Sequence, residues 1–321
     1  MLASVEKIET VALHPNAERL DIVTVGGYSC IVGRGSYQTG DICILIQPDT
    51  ILPDADWAKP YVVNNPKRRV RAIKLRGEWS FGIVEKVALL GDGVFCAGQD
   101  VSDLLGLTKY EPVTNEPGHV GGLPHGIPKT DQTRYQGLRK LPYGKEVYVT
   151  LKVDGQSATY FVKDGVFGVT SRSMAIDPSV ENRYTTLANK YDLQNKLVAY
   201  CEKHGVNLAL RGESYGVGIQ SHNHNPHAKL PNDIVFFDVW VIDEMRYLGY
   251  DEPHGLLALC NELGLPTVPI IEETVLTPAL IEHYRDSKRL DKAMFEGVVI
   301  RTKNAPSISF KVINLHYDSL K

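Results

Sequence analysis

Hydrophobic and polar positions change their spacing about one third of the way along the chain. Before residue 110, apolar runs are short, often alternate with polar residues, and break at Gly, Pro or Asp. Examples are LDIVTVGGYSCIVGRG at residues 20–35 and DICILIQPDTILP at residues 41–53. Short strands separated by such turn residues predict a small β-barrel.

The region after residue 129 mixes helical spacing with strand-like runs. Residues 178–205 have apolar positions at helical intervals and a glycine at the end, which predicts one helix, and residues 255–266 and 278–290 predict two more. Runs such as DIVFFDVWVID (residues 233–243) predict strands between them. The chain therefore has the pattern of an α+β fold built on antiparallel sheets. We predict a barrel at 1–110, a linker rich in Pro and Gly at 111–128, and a second domain at 129–321.

Charge and cysteine content narrow the class of protein only a little. The formal net charge is −3, so a nucleic-acid partner would have to be bound by a local basic patch. Five scattered cysteines without a CxxC pair indicate free thiols and a cytoplasmic location. No signal peptide and no membrane-spanning run are expected, and no obligatory protein partner is indicated.

The stretch VTLKVDGQSATYF (residues 149–161) places a lysine inside a strand-like run. If Val147 to Phe161 is one strand, Lys152 and Asp154 lie on the same face. A second segment, Lys163–Gly165, also holds Lys, Asp and Gly, but lies between two alternating runs and predicts a simple turn. A lysine in an isolated K-x-D-G sequence is usually a solvated surface residue. A functional role for Lys152 therefore depends on the other polar residues of the chain.

Three carboxylates stand next to glycines near predicted strand ends. They are Asp154, Glu213 and Glu296. A neighbouring glycine lets a bulky ligand approach the backbone closely. Hard oxygen ligands of this kind suit Mg²⁺ or Mn²⁺.

Two cations complete a plausible set for phosphate chemistry. A nucleophilic Lys152 needs a lowered pKa, which desolvation or nearby positive charge provides. Arg172, Lys311 or a divalent cation could supply that charge and also bind a triphosphate.

In this order, K-x-D-G, S-R, G-E, F-D, E-G-V-V and F-K-V resemble motifs I to V of the covalent nucleotidyltransferases. These are the ATP-dependent ligases and the mRNA capping guanylyltransferases. The segments PKTDQTRYQGL, LRGESYGVGIQ, FFDVW and FEGVVIR are most similar to RNA ligases, and the barrel resembles the N-terminal OB domain of one RNA ligase family. K-x-D-G alone is weak evidence for this family, because such tetrapeptides occur by chance. Six motifs in the family's order are strong evidence.

The resemblance implies roles for seven residues in binding ATP. Lys152 would carry AMP covalently, Glu213 would bind the ribose and Phe237 would stack on adenine. Asp154 and Glu296 would hold the metal and its water, while Arg172 and Lys311 would contact the nucleotide and its α-phosphate. Many relatives have a second lysine two residues after the position of Lys311, where this chain has Ile313; Lys311 then acts alone, or Lys303 or Arg301 compensates.

Two further polar clusters have functional interpretations. The barrel sequence NPKRRVRAIKLRG (residues 65–77) gathers basic residues, of which Arg69, Arg71 and Lys74 are candidate RNA contacts on an OB-type face, although a solvated charged face is also common. His222, His224 and His227 suggest zinc, but no cysteine or acidic residue nearby completes four ligands. An RNA- or phosphate-facing loop explains the histidines better.

We therefore predict an ATP-dependent RNA ligase that uses Mg²⁺ or Mn²⁺ and seals 3′-hydroxyl and 5′-phosphate RNA ends through lysyl-AMP, in RNA repair. A DNA ligase or capping-type transferase is the alternative enzyme, although those usually carry their OB domain after the catalytic domain. A non-catalytic RNA-binding protein is the alternative from another class, and the intact acidic residues and Lys152 speak against it.

Overall fold

The computed structural model describes residues 1–63, 65–110, 116–303 and 306–320. The chain divides into two compact units, Met1–Val113 and Thr114–Lys321. Within the described residues, none of the helices combines the length and apolar content needed to cross a membrane.

The first unit is a half-barrel of short antiparallel strands. Its main sheet has the order β3-β2-β1-β4-β8, and β5–β9 and β6–β7 form two further pairs. The elements are β1 Ala3–Leu13, β2 Leu20–Val25, β3 Tyr28–Gly33, β4 Ile42–Ile46, β5 Thr50–Ile51, α1 Lys59–Val62, β6 Ala72–Leu75, β7 Glu78–Phe81, β8 Ile83–Lys86 and β9 Thr108–Lys109.

Strand β1 gives the half-barrel its curvature. Its first half pairs with β4 and its second half with β2, and the register shifts between Ile8 and Thr10. A bulge of this kind bends a strand, so one strand serves two parts of the sheet. Buried side chains on the inner face, including Val5, Ile44 and Ile46, form the core.

The second unit contains a seven-stranded and a four-stranded antiparallel sheet. The larger has the order β10-β14-β13-β12-β15-β16-β17 and the smaller β18-β11-β19-β20. The strands are β10 His119–Gly122, β11 Glu146–Leu151, β12 Gln156–Lys163, β13 Val166–Thr170, β14 Met174–Ile176, β15 Leu208–Tyr215, β16 Asp233–Val241, β17 Arg246–Tyr247, β18 Ile270–Val275, β19 Gly297–Thr302 and β20 Ser309–Ile313. The helices are α2 Arg183–Lys190, α3 Leu193–His204, α4 Leu256–Leu263, α5 Pro278–Asp286 and α6 Leu315–Asp318.

Each sheet of the second unit has its own core. Helices α2, α3 and α4 bury Leu187, Leu197 and Leu259 against the larger sheet. Helix α5 buries Ile281 and Tyr284 against the smaller one. Burial of such apolar side chains contributes roughly 1.5–3 kcal/mol each, so each core stabilises its own sheet.

The prediction of one strand from Val147 to Phe161 is wrong. Strand β11 ends at Leu151 in the smaller sheet, and β12 begins at Gln156 in the larger one. Gly155 makes this crossing possible, because a Cβ there would lie 2.2 Å from the carbonyl oxygen of Ser214. Residues Lys152–Gly155 therefore connect the two sheets, which alternation alone could not reveal.

The single helix predicted for residues 178–205 is two helices. Helix α2 begins after Asn182, whose side chain accepts a hydrogen bond from the backbone N–H of Thr185. The chain then turns at Asp192, which has a φ of 52°, before α3 begins. The apolar spacing continues across the turn because both helices pack on the same sheet.

The segment predicted as a linker overlaps a strand. Residues 111–115 lie outside the described part of the chain, but β10 pairs with β14, with His119 opposite Ile176 and Gly121 opposite Ala175. Glycine has no side chain, but its backbone still donates and accepts hydrogen bonds. A segment rich in glycine can therefore form the edge of a sheet.

Candidate active site

Lys152 lies directly after β11, and its ammonium group contacts Glu296, which precedes β19. Nζ lies 2.5 Å from Oε2, and the two side chains are 23% and 9% exposed. The backbone N–H of Lys152 also donates to the carbonyl of Gly297 at 3.0 Å. Because β11 and β19 are neighbours in the smaller sheet, strand pairing places the lysine and the carboxylate side by side.

The carboxylate of Asp154 is buried and fixed by residues far away in sequence. Its Oδ2 accepts a hydrogen bond from the Tyr317 hydroxyl at 2.7 Å, and the His222 Nε2 lies 3.7 Å from the same oxygen. Its backbone carbonyl accepts from Nδ2 of Asn225 at 3.0 Å. Burial and the nearby Asp154 raise the pKa of Tyr317, so the hydroxyl stays protonated and donates.

Glu213 projects from β15 towards the same place. Its Oε2 accepts a hydrogen bond of 3.0 Å from the Ser157 hydroxyl on the neighbouring strand. Burial raises the pKa of Glu213 to about 7; Lys152 opposes this, and Glu296 and Asp154 add to it. Three carboxylates and one lysine therefore interact electrostatically in one small region.

Arg172 and Lys311 meet at a fourth acidic residue, Asp131. The Arg172 Nη2 lies 3.5 Å and the Lys311 Nζ 4.0 Å from the same Oδ1 of Asp131. Hydrogen bonds to its backbone hold the intervening segment, because the side-chain Nε of Arg172 donates to the carbonyl of Thr130 at 3.2 Å and the backbone N–H of Lys311 donates to the carbonyl of Thr133 at 2.8 Å. The two cations predicted to contact the nucleotide are thus brought together.

Phe237 sits at a bulge between β15 and β16. Arg211 lies opposite Asp238 and Gly212 opposite Phe236, so Phe237 is the extra residue of its strand. Bulges re-aim side chains and are common beside active sites.

The bulge reverses which residues of β16 face the core. Ile234 and Phe236 are buried before it, and Val239 and Val241 after it, in the same cluster. Phe237 itself is only partly buried. Of the two adjacent phenylalanines, Phe236 therefore serves the core and Phe237 is the one available to a ligand.

The two residues considered as substitutes for a second motif V lysine are engaged elsewhere. Arg301 is fully buried, with its Nη2 3.1 Å from Oδ2 of Asp238. The Lys303 Nζ lies 2.5 Å from Oε2 of Glu273 at the surface. Arg172, by contrast, shares the carboxylate of Asp131 with Lys311.

The candidate RNA contacts of the first unit have different surroundings. Arg69 lies 2.5 Å from Asp49 and stacks over the ring of Tyr110 at 4.1 Å. Lys74 is exposed on β6, with its Nζ 5.3 Å from the centre of the Trp79 ring. Arg71 precedes β6 and is partly exposed. The charge of Arg69 is therefore already matched within the unit.

The histidine-rich loop lies beside Asp154. The rings of His222 and His224 stack with centroids 5.1 Å apart, and the His224 ring meets the Tyr317 ring edge-on at 4.6 Å. Within the residues that the structure describes, no group of three or more His, Cys, Asp or Glu is close enough to hold a metal ion unaided.

The carboxylates nevertheless fit a hydrated divalent cation. Mg²⁺ in phosphate-transfer sites keeps several waters and takes only one or two protein carboxylates together with substrate phosphates. Asp154, Glu213 and Glu296 supply hard oxygen atoms singly around Lys152, which suits that type of binding.

Sequence reasoning missed three residues of this region. Asp131 lies between the two cations, Tyr317 contacts Asp154, and Asn225 holds the backbone of Asp154. Asp131 falls within PKTDQTRYQGL, so that segment offered a hint. Tyr317 follows the motifs in an unremarkable run, where no pattern distinguishes it from a core residue.

Comparisons with known proteins agree with this geometry. A model described as RNA ligase matches residues 145–313, and an OB-fold domain model matches residues 2–87. A search of the curated proteins finds no match.

Solved structures of one RNA ligase are similar over nearly the full length of both chains. A lysine-to-alanine mutant of Naegleria gruberi RNA ligase with ATP and Mn is 28% identical with a TM-score of 0.84, covering 99% of this chain and 98% of that one. The same RNA ligase with PPi gives 28% and 0.84, covering 98% and 97%. A lysine-to-methionine mutant with AMP and Mn gives 27% and 0.84, covering 98% and 97%.

The RNA ligase family model matches more than half of this chain, so the chain belongs to the RNA ligase family. The sequence prediction of that family is confirmed. The α+β fold with an N-terminal OB-type domain is confirmed as well.

Proposed function

We propose that this ATP-dependent RNA ligase seals 3′-hydroxyl and 5′-phosphate RNA ends through an AMP carried on Lys152. The observation that supports this most is the Lys152 amine, partly exposed, 2.5 Å from a buried glutamate and surrounded by two further carboxylates. The solved relatives bind ATP, AMP or PPi with Mn or alone, which matches the substrate and product of a first adenylylation step.

In the first step, Nζ of Lys152 attacks the α-phosphorus of ATP. A P–N bond forms, and the bond from that phosphorus to the pyrophosphate oxygen breaks. Glu296, 2.5 Å from Nζ, is placed to accept the proton that the amine loses. Arg172 and Lys311 exchange the carboxylate of Asp131 for phosphate oxygens as the triphosphate binds.

The later steps transfer and then release AMP. A 5′-phosphate oxygen of RNA attacks the AMP phosphorus, the P–N bond breaks, and a proton returns to Lys152. The 3′-hydroxyl then attacks the RNA 5′-phosphorus, so that a phosphodiester forms, AMP leaves and the hydroxyl proton is released. Positioning and charge stabilisation supply most of the rate in such transfers.

The remaining site residues bind the nucleoside and the metal. Phe237 stacks on adenine from its bulge, and Glu213 accepts hydrogen bonds from the ribose hydroxyls. Asp154, Glu213 and Glu296 would hold Mg²⁺ or Mn²⁺, which would offset phosphate charge when bound.

Exposed basic residues of the first unit bind the RNA backbone. Arg71 and Lys74 are partly or fully exposed, whereas Arg69 is paired with Asp49. Neutralising Arg71 and Lys74 should weaken RNA binding and lower the salt slope by about one unit per lost phosphate contact. Arg69→Ala is the matched control, because it should lower stability and leave that slope nearly unchanged. Parallel slopes in all variants would place the RNA contacts elsewhere.

The central test is incubation with ATP labelled at the α-phosphate and Mg²⁺. A covalent protein–AMP adduct is expected, and sealing should follow on nicked duplexes with RNA at the break. Labelling by GTP instead would indicate capping chemistry, and equal sealing of all-DNA nicks would indicate a DNA ligase. Absence of any adduct would favour a non-catalytic RNA-binding protein.

The free cysteines fit a reducing, cytoplasmic setting for this repair activity.

A further inference from the structure

The hydroxyl of Tyr317 reaches the first catalytic motif from the short helix α6. Tyr317 is fully buried, and its hydroxyl donates to Oδ2 of Asp154 at 2.7 Å. The ring is also fixed, because His224 packs against it with centroids 4.6 Å apart. This hydrogen bond thus joins two residues that are 163 positions apart in the chain.

Asn314 determines where that hydroxyl lies. Its side-chain oxygen accepts from the backbone N–H of Tyr317 at 3.0 Å, which begins α6. Its own backbone N–H donates to the carbonyl of Glu296 at 2.9 Å. Its Nδ2 donates to the carbonyls of Tyr284 and Ser287 at 3.2 and 2.5 Å. One fully buried asparagine therefore ties α6 to the backbone that carries Glu296.

We infer that Tyr317 is a positioning residue for Lys152 adenylylation, which holds the Asp154 carboxylate in register with Glu296 through Asn314. The inference rests on the proposed function, because it assigns Tyr317 a role in that reaction. Lys152 lies two residues before Asp154 and contacts Glu296 directly, so both carboxylates must be held for the amine to face its target.

Fixing a carboxylate in this way has a kinetic consequence. A misplacement of about 1 Å in a catalytic site can cost about 100-fold in rate. Without the hydroxyl, Asp154 would lose one hydrogen bond and gain rotational freedom, while the packing of the aromatic ring would remain. The effect should therefore fall on the rate at saturating ATP and much less on ATP binding.

Tyr317→Phe removes only the hydroxyl and is the variant to test. Tyr160→Phe is a matched control, since Tyr160 is also fully buried and its hydroxyl donates to a backbone carbonyl, that of Tyr184, at 2.9 Å. Single-turnover formation of lysyl-AMP is followed against ATP concentration, and thermal unfolding is measured for each protein. We expect Tyr317→Phe to lower the maximal rate about 10- to 100-fold, with half-saturating ATP within about three-fold of wild type.

Each result separates the possibilities. Tyr160→Phe should keep the wild-type rate within about three-fold, although it also removes a buried hydrogen bond and should lower the unfolding temperature. A wild-type rate in Tyr317→Phe, or an equal slowing in Tyr160→Phe, would overturn the positioning role and leave the proposed function intact. Wild-type protein that forms no adduct at all would refute both.

A second variant covers failure of Tyr317→Phe to fold. Asn314→Ser keeps a hydroxyl that can cap α6 but removes the amide that donates to Tyr284 and Ser287. A folded Asn314→Ser protein should adenylylate Lys152 several-fold more slowly. An unchanged rate in this variant would overturn the inference.

Discussion

A lysine, an aspartate and a glycine occur at each end of strand β12, and the two segments have different surroundings. Lys152–Gly155 enters the strand from the smaller sheet, and Lys163–Gly165 leaves it towards β13. The first lysine lies 2.5 Å from a buried carboxylate, whereas the Nζ of Lys163 contacts the backbone carbonyl of His125 at 3.3 Å in an exposed position. The two segments contain nearly the same residue types, so the difference in reactivity between their lysines comes from the neighbouring strands.

The glycines of the two segments meet different needs. Gly165 has a φ of 76°, follows Asp164 with a φ of 52°, and an added Cβ would meet nothing within 4 Å. This is the conformation of a tight hairpin turn. At Gly155 an added Cβ would lie 2.2 Å from the backbone oxygen of Ser214. One glycine supplies a backbone conformation and the other supplies room.

Alanine at each lysine tests this difference most severely. Lys152→Ala should abolish the covalent AMP adduct, because it removes the amine that lies 2.5 Å from Glu296 and is proposed to attack ATP. It should still seal pre-adenylylated RNA to some extent, since only the earlier steps use the P–N bond. Lys163→Ala should adenylylate at the wild-type rate. An undiminished adduct in Lys152→Ala, measured with labelled ATP, would refute the assignment.

Alanine at each glycine should give the next largest difference. Gly155→Ala forces β12 and β15 apart at Ser214 and should destabilise the protein by roughly 3 kcal/mol, slowing adenylylation at least ten-fold. Gly165→Ala strains a left-handed turn and should cost about 1 kcal/mol without changing the rate. Urea unfolding and single-turnover labelling measure the two effects. An equal loss in the free energy of unfolding for Gly155→Ala and Gly165→Ala would show that the crossing is not tightly packed.

The acidic surroundings of the first segment predict a pH effect on stability. The folded-state pKa of Glu213 is about 7 against an ordinary value of 4.5, so the folded state binds this proton more tightly than the unfolded state. Its contribution to stability is therefore present below about pH 4.5 and is lost as the pH rises through 7. Glu213→Gln removes that loss and should gain roughly 1–3 kcal/mol relative to wild type between pH 5 and pH 8. Urea unfolding of wild type and Glu213→Gln at pH 5 and pH 8, without nucleotide and with EDTA, measures this gain. An equal difference in unfolding free energy between the two proteins at both pH values would contradict the raised pKa of Glu213.

Much of the fold was accessible from the sequence because it depends on local patterns. The strands of the half-barrel follow from short alternating runs, and the order of motifs indicates the catalytic sheets. The crossing at Gly155 and the bulge at Phe237 were not accessible, since both depend on how a neighbouring strand passes. The pairing of Arg69 with Asp49 is likewise a tertiary contact that a list of basic residues cannot show.

The smallest expected difference concerns the asparagine that holds each segment. Asn225 is buried and donates to the carbonyl of Asp154 at 3.0 Å, whereas Asn207 accepts from the N–H of Asp164 at 2.9 Å and is partly exposed. Asn225→Ala leaves a buried carbonyl without this donor, so we expect a loss of about 1–3 kcal/mol and several-fold slower adenylylation. Water can replace the amide of Asn207, so Asn207→Ala should cost under about 1 kcal/mol and leave labelling unchanged. Parallel urea unfolding and single-turnover labelling of both variants check this, and slower labelling in Asn207→Ala would mean that the second segment also supports the active site.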